Sequence, residues 1–167
     1  MDDVVKKTTL RMIPYGIYIL TAKSDNGEIA ASTVNWVTQT SFDPPLLVVG
    51  VKVGSNSLAS IKSGQKFALN MLDKTQAGLA FTFFKPAVLE GGKLNGEAYH
   101  NGENGLPIID SAPAAVECKV IDIIEQGDHH IVVGEVISAE ASRVIDGRPD
   151  EAILEMKNLG ENVFYGG

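Results

Sequence analysis

The chain has 167 residues, the size of one ordinary domain, and 44% of them are hydrophobic, enough to bury a core without cross-links. Its 14 Lys and Arg against 21 Asp and Glu leave a net charge of −7, short of the basic surplus that nucleic acid demands of a partner. The lone Cys118 excludes an internal disulfide and a cysteine-rich metal site. Met1 to Lys7 carries no apolar signal core, and the longest apolar runs, such as Leu46 to Val51, are too short to cross a bilayer. A reducing cytoplasm and no membrane partner are the expectation.

Residues 2–12 hold good helix formers behind acidic residues, and Pro14 and Gly16 close the segment, which predicts a helix. Tyr15 to Thr21 alternates as a strand, with Ile17, Ile19 and Thr21 on one face and Tyr18 and Leu20 on the other. Ser24-Asp25-Asn26-Gly27 is a hairpin turn, since Asn-Gly accepts positive φ. Ile29 to Thr38 returns as a second strand that begins with small residues. Ser41-Phe42-Asp43-Pro44-Pro45 makes a rigid turn, and Leu46 to Val53 follows as an apolar strand of the kind buried on both faces.

Ser55 caps a short helix through Ile61 that Gly64 ends. Phe67 to Leu72 is a strand, and Asp73 with Gln76 has capping-box spacing before a helix from Ala77 to Phe84. Residues 91–107, with five glycines, predict an exposed excursion. Two long strands follow, around Val116 to Asp122 and Ile131 to Ile137, joined at Gln126-Gly127-Asp128, and an acidic, partly helical tail ends in Val163-Phe164-Tyr165. Strands outnumber helices and are joined by tight turns, so the expected fold is mainly β with short helices, a closed or partly closed barrel in a single domain, 1–167.

Common sites are missing: there is no G-x-G-x-x-G after the first strand, no G-x-x-x-x-G-K-[ST] and no G-x-S-x-G. His129-His130 point two ways on a strand and make a poor metal pair. Ala30-Ala31-Ser32-Thr33-Val34-Asn35-Trp36 instead puts small residues where backbone can approach a flat ring, with hydroxyls and an amide behind them. Gly50-Val51-Lys52 ends a strand on a cation, and Gly54-Ser55-Asn56-Ser57 opens a helix with free N–H groups, a reasonable phosphate seat even in an acidic protein.

The run from Tyr15 to Leu72 resembles the flavin reductase-like, FMN-binding split-barrel family. The resemblance rests on Gly16-Ile17-Tyr18-Ile19-Leu20-Thr21, the small-residue strand into Asn35, Ser41-Phe42-Asp43-Pro44-Pro45-Leu46 and Phe67-Ala68-Leu69-Asn70-Met71-Leu72. Further on, Gly105-Leu106-Pro107-Ile108-Ile109, Glu117-Cys118 and Gly127-Asp128-His129-His130 with Gly134-Glu135-Val136 keep the family order, so the similarity covers nearly the whole chain.

This resemblance implies an FMN-binding split β-barrel with FMN at the interface of a homodimer. Carried over by position, Ile29, Ala30, Ala31, Ser32 and Thr33 meet the isoalloxazine or ribityl chain, and Asn35 and Trp36 follow along the cofactor. Gly50, Val51 and Lys52 line the same groove, Asn56 and Ser57 reach the phosphate, and Thr82 and Phe83 add a looser contact. It further implies hydride transfer from NADH or NADPH to flavin N5, with His129 orienting the nicotinamide. A satisfied turn histidine is the bland alternative for His129. Departures are Trp36-Val37 in place of a Ser-Phe pair, His130 in place of a threonine, and a tail closer to flavin reductase domains found with flavo-diiron and rubredoxin-type carriers. Those departures leave the electron partner open, and because the flavin seat is shared and the nicotinamide seat has no strict motif, a second expectation stands, a non-enzymatic FMN module relaying electrons to a flavo-diiron or rubredoxin-type partner.

Overall fold

The computed structural model describes residues 1–166. Its centre is a seven-stranded antiparallel sheet built from β1 (Tyr18–Lys23), β2 (Ile29–Val34), β3 (Val37–Ser41), β4 (Leu46–Lys52), β5 (Lys66–Met71), β10 (Ala114–Ile124) and β11 (His129–Ala141). Their order across the sheet is β2-β1-β5-β10-β11-β4-β3. The short strands β6 (Leu89–Glu90), β7 (Lys93–Leu94), β8 (Tyr99–Asn101) and β9 (Pro107–Ile109) form two small hairpins outside it. Helices are few: α1 (Asp3–Arg11), α2 (Asn56–Gly64), α3 (Ala77–Thr82), α4 (Pro149–Ala152) and a 3-10 turn at Met156–Leu159. Among the described residues, no helix is long and apolar enough to cross a membrane.

The connectivity forces the sheet to curl. Its two edge strands, β2 and β3, are consecutive in the chain and separated only by Asn35 and Trp36. Six inter-strand steps would set the edges of a flat sheet about 29 Å apart, yet three Cα steps reach at most ~11 Å. The core shows the same closure. Leu20 of β1, Val49 of β4, Leu69 of β5, Cys118 of β10 and Val132 of β11 meet in one buried cluster, with Leu58 and Ile61 of α2 covering it. A second cluster lies on the other face of β1, where Ile17 and Ile19 pack with Leu72, Phe83, Leu94, Ile109 and Leu154. Each such side chain contributes roughly 1.5–3 kcal/mol of burial.

Several expectations change in the structure. The predicted strand from Ile29 to Thr38 breaks at Asn35-Trp36, because that is where the chain passes from one sheet edge to the other. In β4 only Val49 and Val51 are buried, since the strand has the interior on one face alone. Gly64 does not end α2 by a left-handed turn; Gln65 does, at φ 54°. Gly64 is required for close approach instead, because a Cβ there would stand 1.9 Å from the Lys23 carbonyl oxygen.

Gln76 returns its side chain to Asp73 N (2.9 Å), but the Asp73 carboxylate turns to Thr75, so the capping box is half made. The excursion 91–107 is also tied down rather than free. Leu94 and Leu106 are buried, and Glu117 accepts from Asn104 N and Leu106 N. Asn70 Oδ1 receives Ile109 N (2.8 Å), and Thr21 Oγ1 donates to Pro107 O (2.5 Å).

Candidate functional site

Where the curled sheet fails to close, a cleft of about 590 Å³ opens beside the outer edge of β2. Its walls are β2, the end of β4, the start of α2, residues 83–87 after α3, and His129, with Met156 and Tyr165 arriving from the tail. This volume is ordinary for a small-molecule site, which runs roughly 300–1,000 Å³.

One wall is a strand edge. β2 pairs with β1 on one side only, and Thr33 N turns outward to Phe83 O (3.1 Å). Antiparallel ladders alternate inward and outward backbone groups, so Ala31 and Ile29 point theirs the same way as Thr33, toward the cleft. No backbone partner meets the Ala31 N–H or C=O there among the described residues. The small side chains of Ala30 and Ala31 keep that edge open to a flat ring.

The far end is receptive to an anion. Ser55 caps α2: its Oγ accepts from Leu58 N (3.1 Å) and its carbonyl from Ala59 N (3.2 Å). Among the described residues, Asn56 N and Ser57 N have no acceptor, and they head a nine-residue helix. Ser57 is buried, with its hydroxyl 2.8 Å from that of Ser32. Lys52 and Lys85 both reach the cleft, and no carboxylate pairs with either among the described residues. Two free N–H groups, a buried hydroxyl and the neighbouring Lys52 cation fit a phosphate monoester.

At the third side stands His129, whose Cα pairs with that of Lys52 across β11 and β4. The turn before it is fixed by Val53 N donating to Asp128 O (2.9 Å). His129 Nδ1 lies 2.9 Å from Asp128 Oδ1, and Nε2 lies 2.7 Å from Tyr165 Oη. That contact with His129 is the main reason the Asp128 carboxyl titrates below its ordinary range. Burial, and then the Asp128 charge, push the Tyr165 phenol above its ordinary value.

The structure gathers Ile29, Ala30, Ala31, Ser32, Thr33, Asn35, Gly50, Val51, Lys52, Asn56, Ser57, Phe83 and His129 on this one cleft. Two expected residues stand outside its wall. Trp36 turns its ring over Gly50, where a Cβ would meet it at 3.1 Å, and packs edge-on against His129 at 4.6 Å. Thr82 faces away, because its hydroxyl donates to Gly78 O (3.0 Å) inside α3.

Two residues on the wall are already engaged. Thr33 Oγ1 donates to Ala80 O (2.7 Å), and Asn35 Nδ2 donates to Tyr165 O (2.9 Å). Sequence reading missed Lys85 and Tyr165. Lys85 follows the predicted helix with no motif around it, and Tyr165 reaches the cleft only through tertiary folding of the tail.

Residues 10–156 match the family model of the flavin reductase like domain. A Rhizobium meliloti (strain 1021) protein named "Probable flavin reductase" is 35% identical over 127 residues, 76% of this chain and 40% of its own length. The flavin reductase of Pseudomonas putida is 32% identical over 130 residues, 78% of this chain and 75% of its own. The chain thus spans less than half of the first relative and three quarters of the second. Nitrilotriacetate monooxygenase component B from Mycobacterium thermoresistibile superposes with a TM-score of 0.72 at 25% identity, covering 87% of this chain and 78% of that one. Other relatives are named as reductase components of monooxygenases.

Proposed function

The chain belongs to the flavin reductase like domain family, and on that footing we propose that it is an FMN-binding, NAD(P)H-dependent flavin reductase. Residues 1–167 are read as one domain, a split β-barrel whose seam is the cleft. The observation that carries the reading is the division of that cleft into a strand edge and an anion seat. A flavin mononucleotide has the same two parts, a flat heterocycle with a polar edge and a terminal phosphate.

When bound, a flavin would supply the redox chemistry, as acceptor of hydride from a reduced nicotinamide. The chain's own residues bind and orient. Ser57, Asn56 and Lys52 hold the phosphate, the Ala31 backbone meets the ring edge, Phe83 and Val51 exclude water, and His129 faces the donor's side. Reduced flavin or its electrons pass to a partner protein, and the relatives named as reductase components make an oxygenase the favoured class.

A second copy of the chain is the proposed other partner, since α1 buries none of its residues while Val4, Val5, Leu10 and Met12 stand exposed. A homodimer on size-exclusion chromatography with light scattering is the expected result. The proposed setting is the cytoplasm.

FAD is a second reading with one observation behind it. A hollow of about 640 Å³ shares Ile29, Ala30 and Asn56 with the cleft and continues past the phosphate seat along Glu28 and Ser60. Titrating flavin-free protein with FMN and FAD decides between them. Anaerobic mixing of the loaded protein with NADH and then NADPH tests the activity itself. Bleaching of the flavin band is expected with at least one; no bleaching with either overturns the reductase reading in favour of an electron relay.

A further inference from the structure

The tail enters the cleft by a route that the phosphate seat and the strand edge do not use. Arg11 stacks 4.1 Å over the Phe164 ring, and its Nε donates to Gly166 O (3.3 Å). Asn35 then fixes the Tyr165 carbonyl. These anchors on both sides set the Tyr165 ring against two others, 5.6 Å from Trp36 and 5.7 Å from His129. Tyr165 and His129 both line the cleft, whereas Trp36 backs them from behind.

The hydrogen bonds have a definite direction. Asp128 is 94% exposed on its side chain and ionised at neutral pH, so it can only accept, and His129 Nδ1 must carry the proton. In the neutral imidazole Nε2 is then an acceptor, and the Tyr165 hydroxyl donates to it. When the ring takes a second proton, Nε2 donates to Tyr165 Oη and the phenolic proton turns outward. In both states the phenol is the group that meets Nε2. With a side chain only 13% exposed, His129 has little room to find another partner there.

We propose that Tyr165 is a positioning residue for the reaction: it holds His129 Nε2 over the cleft, and the C-terminal segment thereby forms part of the seat of the nicotinamide donor. This rests on the reading that His129 faces the donor. The chemistry it serves is that of a carboxamide, which offers both a donor and an acceptor to the His129–Tyr165 pair. Flavin binding should survive loss of the phenol, because the Tyr165 hydroxyl is engaged with His129 Nε2 and is not among the groups assigned to the phosphate.

The test uses Tyr165→Phe, which keeps the ring and removes the hydroxyl, alongside Tyr165→Ala, His129→Ala and the double variant Tyr165→Phe/His129→Ala. Reduction of bound flavin by the preferred nicotinamide nucleotide is followed by stopped flow, and ring-nitrogen shifts of His129 are read by NMR in flavin-free protein. Tyr165→Phe should slow reduction about three- to tenfold, the scale of one neutral hydrogen bond, with FMN affinity unchanged. It should also move the Nε2 resonance and leave Nδ1 in place. In the His129→Ala background the same change should have no further effect, since the hydroxyl acts through that ring.

Tyr165→Phe that reduces like the parent while Tyr165→Ala is slow would reduce the tail to ring packing and overturn the proposal. So would an unmoved Nε2 resonance, or additive losses in the double variant. If His129→Ala itself matches the parent, the reading beneath the proposal fails and takes it down, an outcome distinct from the loss of Tyr165 alone.

Discussion

Replacing Ser57 by alanine separates the phosphate seat from the rest of the cleft. Ser57 is buried at the start of α2, so its hydroxyl meets an anion without competing water. A hydrogen bond to a charged group contributes about 1.5–3 kcal/mol, or roughly one to two decades of affinity. Lys52 is exposed, and solvent screening brings its share down to ~0.2–1 kcal/mol. Ser57→Ala is therefore the more damaging change, although lysine carries the formal charge.

The change also breaks the 2.8 Å contact with Ser32, which costs about 1 kcal/mol of stability, visible as a lower urea midpoint in a protein that still folds. Calorimetric titration of flavin-free protein checks the binding. The parent should prefer FMN to riboflavin, and Ser57→Ala should weaken FMN about 10- to 100-fold while leaving riboflavin unchanged. An FMN affinity equal to the parent's, or equal losses for both ligands, would refute the placement of the phosphate.

Gly64→Ala should destabilise by ~2–4 kcal/mol in urea unfolding with an unchanged m-value, because the new methyl meets the Lys23 carbonyl and must lift α2 off the hairpin. His100 lies 2.8 Å from Asp110 and 2.9 Å from Glu140, and the Asp110 hydrogen bond is the main cause of its raised pKa. That stabilisation is whole below the unfolded value near ~6.5 and fades as pH rises through the folded one. Urea midpoints should therefore fall slightly from pH 6 to 8.5 in the parent and fall less in His100→Gln. Cys118 is buried and its thiol is pushed up to about 12, so the native protein should resist a thiol reagent at pH 8 and the denatured chain should take one equivalent.

The strands were legible where their pattern was local. Alternation in β1 and the Asn26-Gly27 turn predicted the first hairpin, and the structure keeps it with Gly27 at φ 89°. Thirteen of the fifteen expected site residues reach one cleft, and ten of them do so because β2, β4 and the α2 start carry them as contiguous runs. What could not be read were relations between distant segments. The break at Asn35-Trp36 exists because the chain crosses there from one sheet edge to the other, and that crossing leaves no mark on two residues. Nothing in the strand pattern around Glu117 marks it as buried, and only the N–H groups of Asn104 and Leu106 explain why its carboxylate points inward. Tyr165 is separated from His129 by thirty-six positions and a disparate tail, so no spacing argument joins them.

An acidic chain can hold an anion here because the cleft's field is set locally rather than by net charge. At about 0.15 M salt, exposed charges beyond roughly 8 Å are largely screened. The carboxylates behind the charge of −7 are spread over the surface, in pairs such as Arg148 with Asp150 and Lys6 with Asp3. Lys52 and the first amides of α2 stand together, since Ser55 N donates to Lys52 O, and Lys85 lines the same cleft. The same curl that brings β2 and β3 together thus does two things. It leaves a strand edge whose backbone groups need a partner, and it sets the anion seat at the end of that edge. A ligand with a polar planar edge and a terminal phosphate satisfies both at once; riboflavin satisfies only the first.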